Sequence, residues 1–201
     1  MNKIEKEPSH TYTSVAESVF QVERSAWNNC ANFIDDNRNI GNPFLSHEFF
    51  SCLEESGSVS KETGWISQHI LLFEEGNSLI GILPNYLKNH SWGEYIFDQV
   101  FANAWENAGG KYYPKLLSAI PFSPVAGERF LIKKGYSRKF VIEKLLDALE
   151  DLKKFYKVSS AHINFINEPQ LKIALKNKFW FERNNIQFHW SNQNYENFDH
   201  F

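Results

Sequence analysis

Residues 137–156 read Ser-Arg-Lys-Phe-Val-Ile-Glu-Lys-Leu-Leu-Asp-Ala-Leu-Glu-Asp-Leu-Lys-Lys-Phe-Tyr, and this stretch decides the fold class. Val141, Leu145, Ala148, Leu149, Leu152, Phe155 and Tyr156 recur at helical spacing, with a charged face opposite and Ser137 as the opening residue. Leu116 to Ile120 before it reads as a buried strand that stops at Pro121 and Pro124, and Ala161 to Ile166 after it reads as a further strand. A long amphipathic helix with a strand on each side marks an α/β (α+β) domain.

Upstream, Tyr12 to Val22 reads as a first strand, and Glu23 to Ile34 places Trp27, Cys30, Ala31 and Ile34 on one helical face. Asp35 to Asn42 is a polar link. A second helix follows Pro43, with Ser46 as its cap, Phe49, Phe50 and Leu53 as its apolar side and Gly57 as its end. Trp65 to Phe73 and Leu79 to Leu87 form an antiparallel hairpin, with Pro84 at an edge or bulge. Asn89 to Gly110 shows neither strand alternation nor a clean helical stripe, and reads as a polar-aromatic insertion. Downstream, Pro169 to Lys178 reads as a helix and Arg183 to Trp190 as a last strand. The order is β-α-α-β-β-β-α-β-α-β. Residues 1–11 read as a flexible tail and 12–201 as one domain.

The 201 residues are long enough for a hydrophobic core, and 42% hydrophobic with 16% aromatic content excludes a disordered chain. No stretch approaches the roughly 20 apolar residues that span a bilayer, and the N-terminus lacks the basic-then-apolar pattern of a secretion signal. The expectation is a cytoplasmic protein with no membrane span and, with only Cys30 and Cys52, no disulfide framework. The net charge of −3 argues against a general nucleic-acid coat. Residues 111–183 nevertheless carry 15 basic and 7 acidic groups, which read mainly as the solvated face of the long helix.

Four groups of residues then carry a family likeness. They are Asn42-Pro43-Phe44-Leu45-Ser46-His47, Leu53 to Val59 with Gly64-Trp65, Leu87 to Asp98, and Tyr112 to Leu116 with Pro121 to Val125. Gln187 to Asn192, with Tyr195 and Phe198-Asp199, adds a fifth. Together they resemble the N-terminal half of FemAB-like peptidoglycan biosynthesis/recognition proteins of the GNAT acyltransferase superfamily. The resemblance implies a GNAT-like mixed, mostly antiparallel twisted sheet flanked by helices. It also implies a partner half, a second GNAT-like domain behind a basic segment, where this sequence ends. Acyl-coenzyme A or aminoacyl-tRNA is the acyl donor that it implies, and a small-molecule or peptide amine of cell-wall type the acceptor. The isolated chain is then expected to lack transfer activity.

N-acyl transfer needs a free amine, a group to take its proton and donors for the tetrahedral oxyanion. His90, Glu94, Tyr95 and Asp98 fall within nine residues, followed by Tyr112, Tyr113 and Lys115. Glu94, His90 and Asp98 are the candidate catalytic residues. Tyr95, Tyr113, Lys115 and Arg129 are the candidate substrate-binding residues, with aromatic faces supplying area and cations taking a carboxylate or phosphate. The same polar groups equally suit the task of tying down an irregular loop. The loop from Val125 to Tyr136 offers Gly127, Arg129 and Gly135 but lacks the glycine spacing that wraps amides around a pyrophosphate. His162, His189 and Trp190 read as packing residues. No pattern suggests a bound metal. Phe188, Trp190, Tyr195, Phe198 and Phe201 point to self-association through an exposed last strand. Two functions remain open: an acyltransferase or its substrate-recognition half, and a catalytically silent binding module.

Overall fold

A computed structural model of the chain describes residues 5–32, 41–184 and 186–200. Ile34, most of the polar link before Asn42, and Phe201 lie outside these residues.

The hairpin forms, but each arm breaks in the middle. The first arm is β2 (Trp65–Ser67) and β3 (His69–Glu74), and the second is β4 (Ser78–Leu83) and β5 (Tyr86–Lys88). β3 pairs antiparallel with β4, and β2 with β5. Gln68 on one arm donates its backbone N–H to Asn85 O at 2.7 Å on the other. Pro84 falls at this break, where a missing N–H costs no ladder bond. The arms therefore belong to two four-stranded sheets. One has the order β1-β3-β4-β7, with β1 Thr11–Ala16 and β7 Leu131–Ile132, and the other has β2-β5-β6-β8, with β6 Lys115–Ser118 and β8 Ala161–Ile163. Among the strands of the described residues, β6 and β8 pair in parallel and the other ladders are antiparallel. The fold is a mixed, mostly antiparallel α/β arrangement.

The helix over 137–156 is α4 (Arg138–Tyr156), capped by Ser137 Oγ on Phe140 N–H and closed by Lys157 in the left-handed region. Val141, Ile142, Leu145, Leu146, Leu149 and Leu152 are buried against Ile70, Leu72, Ile80 and Leu116. Each such side chain contributes about 1.5–3 kcal/mol. The opposite faces of the strands, with Leu71, Ile82, Leu117 and Leu131, pack on Trp27 of α1 (Arg24–Cys30) and Phe50 of α2 (His47–Glu55). Cys30 is buried and Cys52 exposed, both as free thiols.

Four expectations need correction. Asn89 to Gly110 contains a helix, α3 (Gln99–Asn107); of its residues only Ala102 is buried, so no apolar stripe announces it. The segment expected as a free tail is tied at Lys6, whose N–H donates to Gly135 O at 2.8 Å. After α5 (Glu168–Ala174), the last strand expected over 183–190 does not form among the described residues. Phe188 is 94% exposed there, and His189 is exposed, so neither packs in a sheet. An edge-strand route to self-association loses its strand.

Candidate functional site

Three residues stand in one row across the second sheet. Trp65 on β2 is opposite Lys88 on β5, and Lys88 is opposite Lys115 on β6. Directly opposed side chains share a face. All three are fully or almost fully buried, so two ammonium groups and an indole meet under the 89–114 insertion.

The insertion supplies the opposite charge. Lys115 Nζ donates to Glu94 Oε2 at 2.9 Å, to Asp98 Oδ2 at 2.6 Å and to Ser91 Oγ at 2.7 Å. Asp98 Oδ2 also accepts from the hydroxyls of Ser91 at 2.9 Å and Tyr112 at 2.8 Å, and Tyr113 OH lies 2.8 Å from Ser91 Oγ. Lys88 Nζ sits 3.6 Å over the Trp65 ring and donates to Trp92 O at 3.3 Å. When all four are ionised, two ammonium groups and two carboxylates cancel in charge. Burying such a set is tolerable only because its members are paired and hydrogen-bonded.

The protonation equilibria follow from that geometry. Burial pushes Lys88 down to about 7, against the attraction of Glu94 and with the repulsion of Lys115. Burial raises the Glu94 carboxyl above its ordinary range despite Lys115 and Lys88, and Glu94 Oε1 has no hydrogen-bond partner. For Asp98 burial acts upward too, but the hydrogen bonds from Lys115, Ser91 and Tyr112 outweigh it and lower the group.

Beside this cluster is an open pocket of about 600 Å³, lined by Ser58, Thr63, Trp65, His90, Trp92, Gly93 and Phe122. His90 and Trp92 line it, while Ser91 between them enters the ion cluster. Trp92 N–H donates to His90 Nδ1 at 3.2 Å, so Nε2 carries the proton and donates to Thr63 O at 3.0 Å. Burial and Lys88 both lower the His90 pKa, favouring this neutral ring. Gly93 is held at φ +78°, and a Cβ there would lie 2.6 Å from the Phe122 ring, so only glycine lets that ring close the pocket. Phe122 itself adopts φ +56° and donates its N–H to Gly93 O at 3.1 Å. An aromatic residue in the left-handed region is uncommon and marks a backbone fixed by its surroundings.

The candidate residues thus separate. Glu94, Asp98, Lys115 and Tyr113 converge. His90 stands on the adjoining pocket with both ring nitrogens engaged. Tyr95 is 55% exposed and Arg129 lies apart, so neither joins the cluster. Arg129 is buried and spends its donors on backbone carbonyls, with Nε on Asn164 O at 2.7 Å, Nη1 on Glu128 O at 2.8 Å and Nη2 on Val125 O. Its task is to close the 121–130 loop on β8 and α5, and burial pushes it down to about 10. His162 on β8 is half-buried, with its ring 6.2 Å from that of Tyr112 and its Nε2 2.8 Å from Ser160 Oγ, and burial pushes it down to about 4. Lys88 is the member that the sequence reading missed. Its signal was an isolated lysine directly after the apolar run Leu79 to Leu87.

Among the described residues no group of three or more His, Cys, Asp and Glu side chains is gathered as a metal set, and no helix is long and apolar enough to cross a membrane.

The chain belongs to the FemAB-like family of peptidoglycan biosynthesis/recognition proteins, whose sequence model matches residues 18–201. No curated protein matches it significantly. Among solved structures it is similar to the aminoglycoside antibiotic 6'-N-acetyltransferase AAC(6')-Ih from Acinetobacter baumannii, at 12% identity and a TM-score of 0.48, covering 91% of this chain and 99% of that one.

Proposed function

We propose that this chain is the acceptor-recognition domain of an acyl- or aminoacyl-transferring FemAB-like protein. The acceptor is an amine-bearing peptide or cell-wall-type fragment, bound in the pocket of Thr63, Trp65, His90, Trp92 and Phe122. The observation that carries the reading is the contrast between this open aromatic pocket and the sealed cluster behind it. Trp92 is 81% exposed, whereas the side chains of Lys115 and Glu94 are each 1% exposed. Aromatic faces give a peptide or sugar contact area at small entropic cost, and a few fixed polar atoms orient it. The Thr63 and Trp92 carbonyls are the polar atoms nearest to hand, each already held by a donor, His90 and Lys88 respectively.

Of the three candidate proton acceptors, His90 and Asp98 are committed to hydrogen bonds, and Glu94, whose Oε1 is unpaired, is buried behind the pocket with its side chain 1% exposed. His90 has no free nitrogen, and Asp98 Oδ2 already accepts from three donors. Their role in this reading is to position the pocket wall, with Ser91 as the link. Acyl-coenzyme A or aminoacyl-tRNA would be the donor in the complete reaction. The test is a transfer assay on the purified chain with acetyl-coenzyme A or charged tRNA and amine-bearing muropeptides, run beside equilibrium binding. Saturable acceptor binding without turnover supports recognition. Turnover above background that is lost in Glu94→Gln would assign chemistry to the cluster and overturn it.

A further inference from the structure

Trp65 also lines a second open pocket, of about 620 Å³, against α2, the turn after β1 and the C-terminal end of α4. Its walls bring together Glu17, Phe20, Glu54, Glu55, Lys61 and Tyr156. Three carboxylates thus face one ammonium, around aromatic rings of three different segments.

Glu54 shows why this charge is not already balanced. Its carboxylate is largely buried and accepts from Ser18 Oγ, Ser67 Oγ at 2.8 Å and Val19 N–H at 3.1 Å. Burial alone would raise it, but those donors and His69 bring it down to about 2, so it is ionised at neutral pH. The imidazole behind it does not neutralise it. His69 is fully buried, its Nδ1 accepts from Asn85 N–H at 3.3 Å, and burial lowers its pKa. Its Nε2 therefore carries the proton and faces Glu54 Oε1 at 3.6 Å, without a hydrogen-bond partner. Glu54 thus holds a negative charge on dipoles alone, at the wall of a cavity. Glu17 and Glu55 stand exposed on the same pocket, and burial, with Glu17 adding to it, raises the Tyr156 phenol. Gln68, almost fully buried in the floor, is fixed by Tyr156 OH at 2.7 Å.

We propose that this pocket binds the ammonium group of a lysine-like side chain or other primary alkylamine. The charge settles among Glu17, Glu55 and the field of Glu54, and the methylene stem lies across Phe20, Trp65 and Tyr156. A compact ammonium on an apolar stem fits both features, and an aromatic face attracts a cation within about 6 Å of its centre. The inference is independent of the acceptor pocket, since its walls apart from Trp65 are different residues.

The test uses the full chain, 15N-labelled, titrated with Nα-acetyl-lysine amide and, separately, with its Nε-acetylated form. The charged probe is expected to shift Gln68 and Tyr156 amides and to bind at least about fivefold more tightly than the neutral one, a ratio that falls with added salt. Glu17→Gln with Glu55→Gln, both exposed sites that leave the core untouched, removes the preference. Equal shifts from both probes, shifts confined to Trp92 and Gly93, or no shift from either would each overturn the assignment.

Discussion

Lys88 and Lys115 face each other directly across the β5–β6 pair, and both side chains are buried. Like charges opposed on one sheet face repel, and burial adds the cost of lost hydration. The arrangement persists because the insertion lays Glu94 and Asp98 over it. The insertion is therefore fastened to the sheet by charge, and the pocket wall of His90, Trp92 and Gly93 inherits its position from that fastening.

Removing the hub has a defined cost. Lys115→Met leaves Glu94 and Asp98 buried without their cation, and is expected to destabilise the fold by about 3–5 kcal/mol, as for one half of a buried pair. Urea unfolding at pH 7 measures it. The double variant with Asp98→Asn should recover part of the loss, because the two changes share one interaction.

Lys88 predicts a pH dependence. Its folded pKa of about 7 lies below the ordinary lysine value, so between pH 7 and 9 the unfolded chain binds more protons at this group than the folded one. Stability from Lys88 therefore rises with pH across that window. Lys88→Met should flatten the rise and be more stable than the parent at pH 7, as read from melting temperatures in matched buffers.

Glu54 acts in the acid range. Its folded pKa near 2 is below the unfolded value, so its contribution is complete above about pH 4.5 and is lost as pH falls toward 2. Glu54→Gln should cost about 1–3 kcal/mol at pH 7 through its unmatched donors and should weaken the acid dependence of unfolding.

The sequence made the long helix legible through its period, and the hairpin through two apolar runs separated by Glu74 to Ser78. It did not reveal that the hairpin arms split between two sheets. Both apolar runs continue past the break, which is marked by Pro84 and by the buried polar residues Ser67, Gln68, His69 and Asn85. α3 was hidden for the opposite reason, since Val100, Phe101 and Trp105 lie on solvent. At the site, Glu94, Asp98, Tyr113 and Lys115 were legible as a polar set dense in sequence. Arg129 misled because its partners are backbone carbonyls, which a sequence does not display, and Lys88 was missed because it stands at the end of β5, one residue past the apolar run. The segment over 183–190 has strand composition but no partner strand among the described residues, and composition alone does not make a ladder.

Gly93 ties stability to recognition. Gly93→Ala forces a side chain into the left-handed region, which costs roughly 1–2 kcal/mol, and drives its Cβ into Phe122. The variant is expected to fold less stably and to lose acceptor binding by more than a Trp92→Phe variant does, with calorimetric titration as the check.

The most direct measurement is titration of the full chain with an amine-bearing muropeptide, followed through 1H–15N shifts and the Trp92 indole signal. The account predicts saturable shifts centred on Thr63, Trp92 and Gly93, lost in the exposed-site variant Trp92→Ala while its melting temperature stays within a few degrees of the parent, about the shift that 1 kcal/mol produces. Absence of binding, or binding that Trp92→Ala leaves intact, would contradict the assignment of this pocket to the acceptor.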